Sequence, residues 1–367
     1  MLHLNSILNS IWLSIFLLSS LSGLAANAPL WGIPAMVLAG FSLLALIKGA
    51  AAPQKAFLKA LSFFTLSSLF IAFGLALWQG SIQIQFDLPQ KQLYAGLSLF
   101  IGVIGMLGMV PFAFWACDLI ETLPTKIAQL CLTFLALLAF TIAKALLTGQ
   151  FWPPPIWQEP LTLFFASLFI LTSLLTLVEV HLKRYVTYWC LSQFALLFLL
   201  AVLNHTSPQI PLPHLLSLHL IYILMFIHYA LRIMAPYEAA GTQKLLTFDL
   251  EGIAHKNTFL GFALFLLTLW ATPLPGSPGF IPFWGLWQAK SHLFLAGHIP
   301  TIILFMAFTL PVASSLRLFL QFKGPPPVKT ALLPQTPHLR GGQKTLIIGF
   351  GLSLFFLWAF FGYVVLV

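Results

Sequence analysis

Four ionisable side chains lie within or at the end of strongly apolar runs, where they could carry protons across a membrane: Lys144, His219, His228 and Glu179. An ionisable group is costly to place in lipid, so it indicates an ion pathway by default. Lys144 lies near the end of its run and could instead extend to the membrane interface. Both roles stay open for Lys144, and the four residues form our candidate pathway.

The spacing of the possible ligands predicts no metal site. His219 and His228 are nine residues apart, so at about 100° per residue they face different sides of one helix. The three cysteines, Cys117, Cys131 and Cys190, have neither metal nor redox spacing. The sequence contains no dinucleotide fingerprint, P-loop, iron–sulfur spacing or haem pair. We expect the chain to bind no metal or cofactor, while a quinone could bind elsewhere in a larger complex.

The elements that position these residues must be membrane helices. The chain has 367 residues, of which 60% are hydrophobic and 7% charged, and its mean hydropathy is +0.97. Soluble domains carry about 25% charged residues, so the composition predicts an all-α polytopic membrane protein. The net charge of +9 comes from short loops between apolar runs. It therefore indicates membrane topology and not nucleic-acid binding.

A spanning helix needs roughly 20 apolar residues, which predicts about eleven spans. Their ranges are 4–24, 28–47, 57–79, 95–116, 126–148, 160–180, 186–204, 214–233, an interrupted span over 257–295, 299–320 and 343–366.

The basic residues predict the orientation of these spans. Only Lys91, Lys144 and Lys290 fall on one side of the predicted membrane, and the remaining 14 of the 17 Lys and Arg residues fall on the other. Because cytoplasmic loops are enriched in Lys and Arg, we expect a cytoplasmic N-terminus and a C-terminus on the opposite side.

Two of the predicted spans contain prolines that should interrupt the helix. Pro111 removes a backbone hydrogen bond within an apolar run. In lipid such a break is tolerated only inside protein or beside a water-filled cavity, and transporters place breaks of this kind in corresponding positions of two inverted halves. The second predicted break, over residues 273–282, contains Pro273, Pro275, Pro278 and Pro282.

Two motifs, at residues 110–124 and 181–190, resemble the antiporter-like membrane subunits of respiratory complex I. The first family pattern is Val-Pro-Phe-His-Leu-Trp-x-x-Asp-x-x-x-x-x-Pro, and the second is Asn-Ile-Lys-Arg-Leu-Leu-Ala-Tyr-Ser-Ser. Within the family, the chain looks most like subunit N, called subunit 2 in mitochondria. The matching residues are Phe112, Trp115, Asp118, Pro124, Lys183 and Arg184.

The resemblance implies a fold of fourteen helices built around two inverted five-helix repeats, of which this chain lacks the first three helices. Residues 1–148 would then form the first repeat and residues 160–320 the second. Residues 321–367 would form a basic linker and a C-terminal helix. Each repeat would have its fourth helix interrupted, at Pro111 and at residues 273–282.

The residues that carry protons in the family are replaced in this chain. A lysine in a low-dielectric interior has a depressed pKa and can exchange its proton with water or a carboxylate, but methionine, alanine and proline cannot. Two hypotheses follow: a scaffold that does not pump, which we favour, or a rerouted path through Lys144, His219 and His228 that could include Lys290. The replaced glutamate, lysines and histidines fall at or near Pro34, Met106, Ala136, Pro282, Ala113 and Gln193.

The sequence therefore predicts a membrane subunit of a complex I-type NADH:quinone oxidoreductase, with no redox centre and no enzyme activity of its own. Its expected partners are other membrane subunits and lipid, in a bacterial inner membrane or an equivalent energy-transducing membrane. Alternatives are the membrane partner of a DAB-type inorganic-carbon uptake system, and a subunit of a multisubunit cation/proton antiporter or a membrane-bound hydrogenase. Shared fold alone does not separate these functions.

Overall fold

The computed structural model describes residues 14–20, 29–49, 53–79, 88–147, 158–204, 212–239, 246–247, 258–273, 277, 279–289 and 299–323. Residues 14–20 are helical. The helices that follow are α1 (Pro29–Gly49), α2 (Gln54–Gln79), α3 (Leu88–Leu107), α4 (Ala113–Thr122), α5 (Thr125–Leu147), α6 (Gln158–Val178), α7 (Leu182–Asn204), α8 (Leu212–Ala239), α9 (Thr258–Ala271), α10 (Phe280–Ala289) and α11 (Ile299–Lys323).

The prediction of an all-α polytopic membrane protein is confirmed. Within the described ranges, six helices are long and apolar enough to cross a membrane, namely α2, α5, α6, α7, α8 and α11. The predicted helix over 343–366, the linker before it and most of the span over 4–24 lie outside the described residues.

Several helices are longer than the apolar stretches from which we predicted them. α3 begins at Leu88 and not at residue 95, α7 begins at Leu182 and not at 186, and α8 continues to Ala239 and not 233. The added turns contain charged residues, among them Lys183 and Glu238. A hydropathy window stops at such residues, whereas the backbone hydrogen bonds of a helix continue through them.

Helix α7 is the centre of the bundle. It packs against α4, α5, α6 and α8, and almost all of its spanning window is buried. Its largest buried side chains include Tyr185, Trp189, Phe194 and Phe198. A helix that is apolar all round is expected in the interior of a bundle, so α7 is the element against which the two breaks and the candidate pathway are positioned.

Helices α2 and α3 approach each other closely because glycines line their contact. A Cβ atom built on Gly102 would lie 2.8 Å from the carbonyl oxygen of Ser67, and one built on Gly74 would lie 2.9 Å from that of Ala95. Small residues allow backbones to approach in this way in membrane helices. This packing holds the first half of the interrupted span, α3, against α2.

Candidate functional site

The first break lies between α3 and α4, where Pro111 predicted it. Helix α3 ends in a Schellman motif: the N–H of Met109 donates to the Ile104 carbonyl at 3.0 Å and that of Gly108 donates to Gly105 at 3.2 Å. Gly108 has a φ of 63°, and a Cβ there would lie 2.6 Å from the Cβ of Ala116. Glycine is therefore required at this turn both by conformation and by space.

Trp115, a family-motif residue, closes the first break from the α4 side. Its buried indole Nε1 donates to the carbonyl oxygen of Gly105 at 2.9 Å. The Gly105 carbonyl also accepts from the N–H of Gly108, so the tryptophan supplies a second donor to this carbonyl at the end of the helix, where lipid offers none. Phe112 packs beside it on the ring of Phe63, with centroids 5.8 Å apart.

The second break, between α9 and α10, uses different side chains for the same purpose. The hydroxyl of Tyr222 in α8 donates to the backbone carbonyl of Trp270 at 2.8 Å. The hydroxyl of Ser277 donates to the backbone carbonyl of Thr272. A Cβ built on Gly279 would lie 2.5 Å from the carbonyl oxygen of Thr272. Both breaks are therefore closed by protein donors and not left open to lipid.

The prolines of the second break have different positions. Pro273 directly follows α9, as predicted. The prediction that Pro282 belongs to the interruption is wrong, because this residue lies in the first turn of α10. Proline is tolerated there, since its missing N–H would have had no intrahelical acceptor. Pro275 and Pro278 lie outside the described residues.

Four charged side chains at one end of the bundle form a cluster that we call the Arg184 cluster: Arg184, Asp118, Glu121 and Lys59. Arg184 donates through Nη2 to Asp118 at 2.9 Å and through Nε to Glu121 at 2.5 Å. Lys59 donates to the other oxygen of Asp118 at 2.8 Å. Arginine suits this position because its planar fork can reach two carboxylates at once. The cluster ties α2 and α4 to the start of α7.

Lys183 links a second set of helix ends. Its ammonium donates to the Leu123 carbonyl at 2.6 Å and to Glu238 at 3.2 Å. Glu238 also accepts from the backbone N–H of Thr125 at 2.7 Å and from the hydroxyl of Thr125. Consecutive residues point about 100° apart on a helix, so Lys183 reaches α8 and the turn between α4 and α5, while its neighbour Arg184 reaches side chains within α4.

Glu238 lies beyond the spanning part of α8, and its pKa is below the ordinary value of 4.5. Partial burial alone would raise this pKa, but the hydrogen bonds from Thr125 and the charge of Lys183 outweigh that effect. Glu238 therefore stays ionised at neutral pH and serves as a fixed structural charge.

Glu179 has a local structural role. Its carboxylate accepts the backbone N–H groups of Val180 and His181, each at 3.0 Å, just before α7 begins. Its carbonyl oxygen accepts a hydrogen bond from Arg317 of α11 at 2.6 Å. The carboxylate thus holds the short connection between α6 and α7 in place, and it lies at the same end of the bundle as the two charge clusters.

The other predicted pathway residues do not come together. Lys144 is half-buried in the last turn of α5, about 28 Å along the axis from Thr125. His219 is buried and its Nε2 lies 3.2 Å from the Gln193 carbonyl of α7. His228 is half-buried and hydrogen-bonds with Gln129 of α5. Among the residues whose placement is described, no His, Cys, Asp and Glu form a group that could hold a metal ion.

Two of the positions that the family resemblance assigns to proton-carrying lysines, Met106 and Ala136, are apolar and buried. Met106 and Ala136 are both fully inaccessible and belong to the hydrophobic core. Ala113, at the position of the family histidine, is buried in the same core. Gln193 keeps a polar side chain, also buried. The arrangement can hold helices in register and seal two breaks, but Met106 and Ala136 cannot bind a proton.

Sequence reasoning missed Glu121 and Glu238 as partners of the Lys183–Arg184 pair. A signal existed for Glu121, because it lies three residues after Asp118 and therefore on the same helix face. No sequence signal points to Glu238, which lies 113 residues from Thr125 in a segment that we predicted to be a loop.

Residues 29–310 match the family described as NADH:quinone oxidoreductase/Mrp antiporter, transmembrane. Over 277 residues, the chain is 26% identical to NADH-quinone oxidoreductase subunit N of Polaromonas naphthalenivorans (strain CJ2), an alignment that covers 70% of this chain and 55% of that protein. The chain thus spans about half the length of this curated relative.

Solved structures share the fold at lower sequence identity. A chain of respiratory complex I from Thermus thermophilus with bound aureothin superposes with a TM-score of 0.70 at 19% identity, covering 96% of this chain and 78% of that one. A chain of the membrane-bound sulfane sulfur reductase, an archaeal respiratory membrane complex, gives 0.66 at 15% identity, covering 94% and 71%. Because the family match covers more than half of the sequence, the chain belongs to the NADH:quinone oxidoreductase/Mrp antiporter transmembrane family.

Proposed function

We propose that this chain is a membrane subunit of a complex I-type, ion-motive assembly, with other membrane subunits as its partners. Family membership supports this proposal, as does the similarity to NADH-quinone oxidoreductase subunit N. Both superposed folds come from multi-subunit respiratory complexes. The chain itself binds no cofactor in this proposal, and the redox chemistry belongs to other subunits.

Within such an assembly the chain serves as a scaffold and coupling element and does not pump protons. The observation that carries this statement is the apolar, fully buried state of Met106 and Ala136. His228 contacts Gln129 near the start of α5, Lys144 lies in the last turn of the same helix, and His219 contacts α7. Within the described part of the chain, these three groups therefore do not form a continuous line. A proton relay needs neighbouring groups that can exchange protons directly or through water.

We further propose that residues 1–148 and 160–320 form two inverted repeats and that residues 321–367 form a linker and a final helix. The breaks at α3–α4 and α9–α10 support this division, since inverted repeats place interruptions in corresponding spans. The Arg184 cluster and Lys183 would then join the two repeats on the cytoplasmic side of a bacterial inner membrane. The excess of Lys and Arg at that end of the bundle supports this orientation.

Assembly is tested by purifying the tagged chain from native membranes in a gentle detergent and identifying the co-purifying proteins by mass spectrometry. We expect other antiporter-like subunits together with an iron–sulfur arm. Recovery of a single large zinc protein would contradict the proposal and favour inorganic-carbon uptake. Cation-antiporter subunits without an iron–sulfur arm would contradict it in favour of a multisubunit antiporter, and hydrogenase subunits in favour of a membrane-bound hydrogenase.

The absence of pumping is tested by reconstituting the purified complex in proteoliposomes and measuring the ΔpH formed during turnover. We expect Lys144→Ala, His219→Ala and His228→Ala each to leave the ratio of protons to electrons unchanged. Lys91→Ala, which changes a lysine outside the candidate pathway, is the matched control. A lower ratio in any of the three variants, with assembly intact on a native gel, would support the rerouted path instead.

A further inference from the structure

An apolar cavity of about 230 Å³ lies between helices from both halves of the bundle. Its wall includes residues from the beginnings of α3 and α6 and from the ends of α5 and α7. The cavity is therefore at the end of the bundle opposite to the Arg184 cluster. Well-packed interiors contain few voids larger than a water molecule, and an apolar cavity of roughly 150 Å³ already takes up benzene.

The lining and the opening of the cavity indicate what could fill it. Gln92 and Trp78 supply polar groups at the end of the cavity nearest the membrane surface, and the rest of the described wall is almost entirely apolar. Leu97 belongs to the wall and is also 37% exposed on the outside of α3. The cavity is thus continuous with the lipid-facing surface of the bundle.

The depth of the cavity matches one leaflet of a bilayer. Along α3 the wall runs from Gln92 to Val103, which corresponds to about 16 Å of helix. The hydrocarbon region of a membrane is about 30 Å thick, so one leaflet contributes about 15 Å. Glutamine and tryptophan at the outer end suit the polar interface, where indole groups are enriched.

Gly96 lies in the wall of the cavity and borders open space. A Cβ built on Gly96 would meet nothing within 4 Å, whereas one built on Gly102, two turns along the same helix, would press against the backbone of α2. Glycine lowers the stability of a helix interior by about 1 kcal/mol relative to alanine. At Gly102 close helix packing explains the glycine, but at Gly96 no contact explains it.

We propose that this cavity binds one acyl chain of a membrane phospholipid as a structural ligand, with the glycerol-ester end of that lipid at Gln92 and Trp78. The acyl chain of the lipid fills the space between α3 and α6. It thereby joins the two halves of the bundle at the end away from the Arg184 cluster. The binding of a lipid at this position does not depend on whether the subunit pumps protons.

The first test fills the cavity. Gly96→Phe places a side chain in the open space, and Gly96→Ala is the matched control that leaves most of the space free. The full chain, purified with its partners, is exhaustively washed in detergent, and phospholipid and quinone are then counted per complex by mass spectrometry. We expect Gly96→Phe to retain one phospholipid fewer than the wild type, while Gly96→Ala retains the same number. Equal phospholipid content in all three proteins would overturn the proposal.

The second test uses the wild type and does not depend on the folding of a variant. A phospholipid with a photoreactive diazirine near the end of its acyl chain is incorporated into nanodiscs, and the crosslinked peptides are sequenced. We expect labelling of residues that line the cavity, such as Phe100 and Phe165, at least fivefold above the outward-facing Leu171. Labelling of the outer surface alone would overturn the proposal. It would also be overturned if the wild-type complex bound one isoprenoid quinone and Gly96→Phe lost that quinone.

Discussion

At the residue scale, the family motifs of this chain have roles that follow from their hydrogen bonds. Trp115 provides a donor to a carbonyl at the first helix break, and Arg184 holds two carboxylates of α4. These roles are structural and do not require the proton-carrying residues of the family. Neither role involves Met106 or Ala136, which are apolar and fully buried.

We expect Trp115→Phe to lower the free energy of unfolding by about 0.5–1.5 kcal/mol, because the Gly105 carbonyl loses one of its two donors while most of the aromatic packing remains. The measurement is unfolding of the detergent-purified protein followed by circular dichroism. Phe114→Leu, at a 43% exposed position in the same helix, is the control. An equal loss of stability in both variants would show that the hydrogen bond has no specific role.

At the element scale, the stability of the first half depends on how closely α2 and α3 approach. The same helix α3 contains a tightly packed glycine, Gly102, and a glycine beside open space, Gly96. These two positions separate the intrinsic cost of glycine in a helix from its value in helix packing.

Gly102→Ala is expected to destabilise the protein by about 1–3 kcal/mol, because the new methyl group meets backbone atoms of α2 and overpacks the contact. Gly96→Ala is expected to be neutral or to stabilise the protein by up to about 1 kcal/mol. Both are measured as changes in the midpoint of chemical unfolding. The packing argument is wrong if the two substitutions have the same effect.

At the scale of the whole molecule, contacts between helix ends tie the predicted first repeat to the second at one end of the bundle. Lys183 and Glu238 belong to the second part of the chain, and Thr125 and Leu123 to the first. The strength of these contacts depends on the ionisation of Glu238. The contacts between the two parts of the chain should therefore weaken at acidic pH.

The sign of this pH dependence follows from the lowered pKa of Glu238. A carboxyl group whose pKa is lower in the folded state contributes stability that is present above its unfolded value, here about 4.5, and lost as the pH falls through the folded value. The wild type should therefore be more stable than Glu238→Gln at pH 7, and the difference should shrink as the pH falls from 4.5 through the lowered pKa of the folded protein. Thermal midpoints of both proteins between pH 3 and 8 test this, and a constant difference would contradict it.

The sequence by itself determined the membrane class and the family, and it predicted where two helices are interrupted. These properties follow from composition, from prolines within apolar runs and from motif order, all of which are local in the chain. The residue identities at motif-anchored positions also led to the hypothesis of a subunit without the family's proton carriers.

Only the tertiary structure decided which charges pair and where an internal cavity lies. Thr125 and Glu238 are 113 residues apart, and no periodicity or local spacing predicts their contact. The closure of the breaks by Trp115 and Tyr222 likewise depends on how neighbouring helices pack. The cavity beside Gly96 is a property of several helix surfaces at once, because the space between them is set by packing and not by any one segment of the sequence.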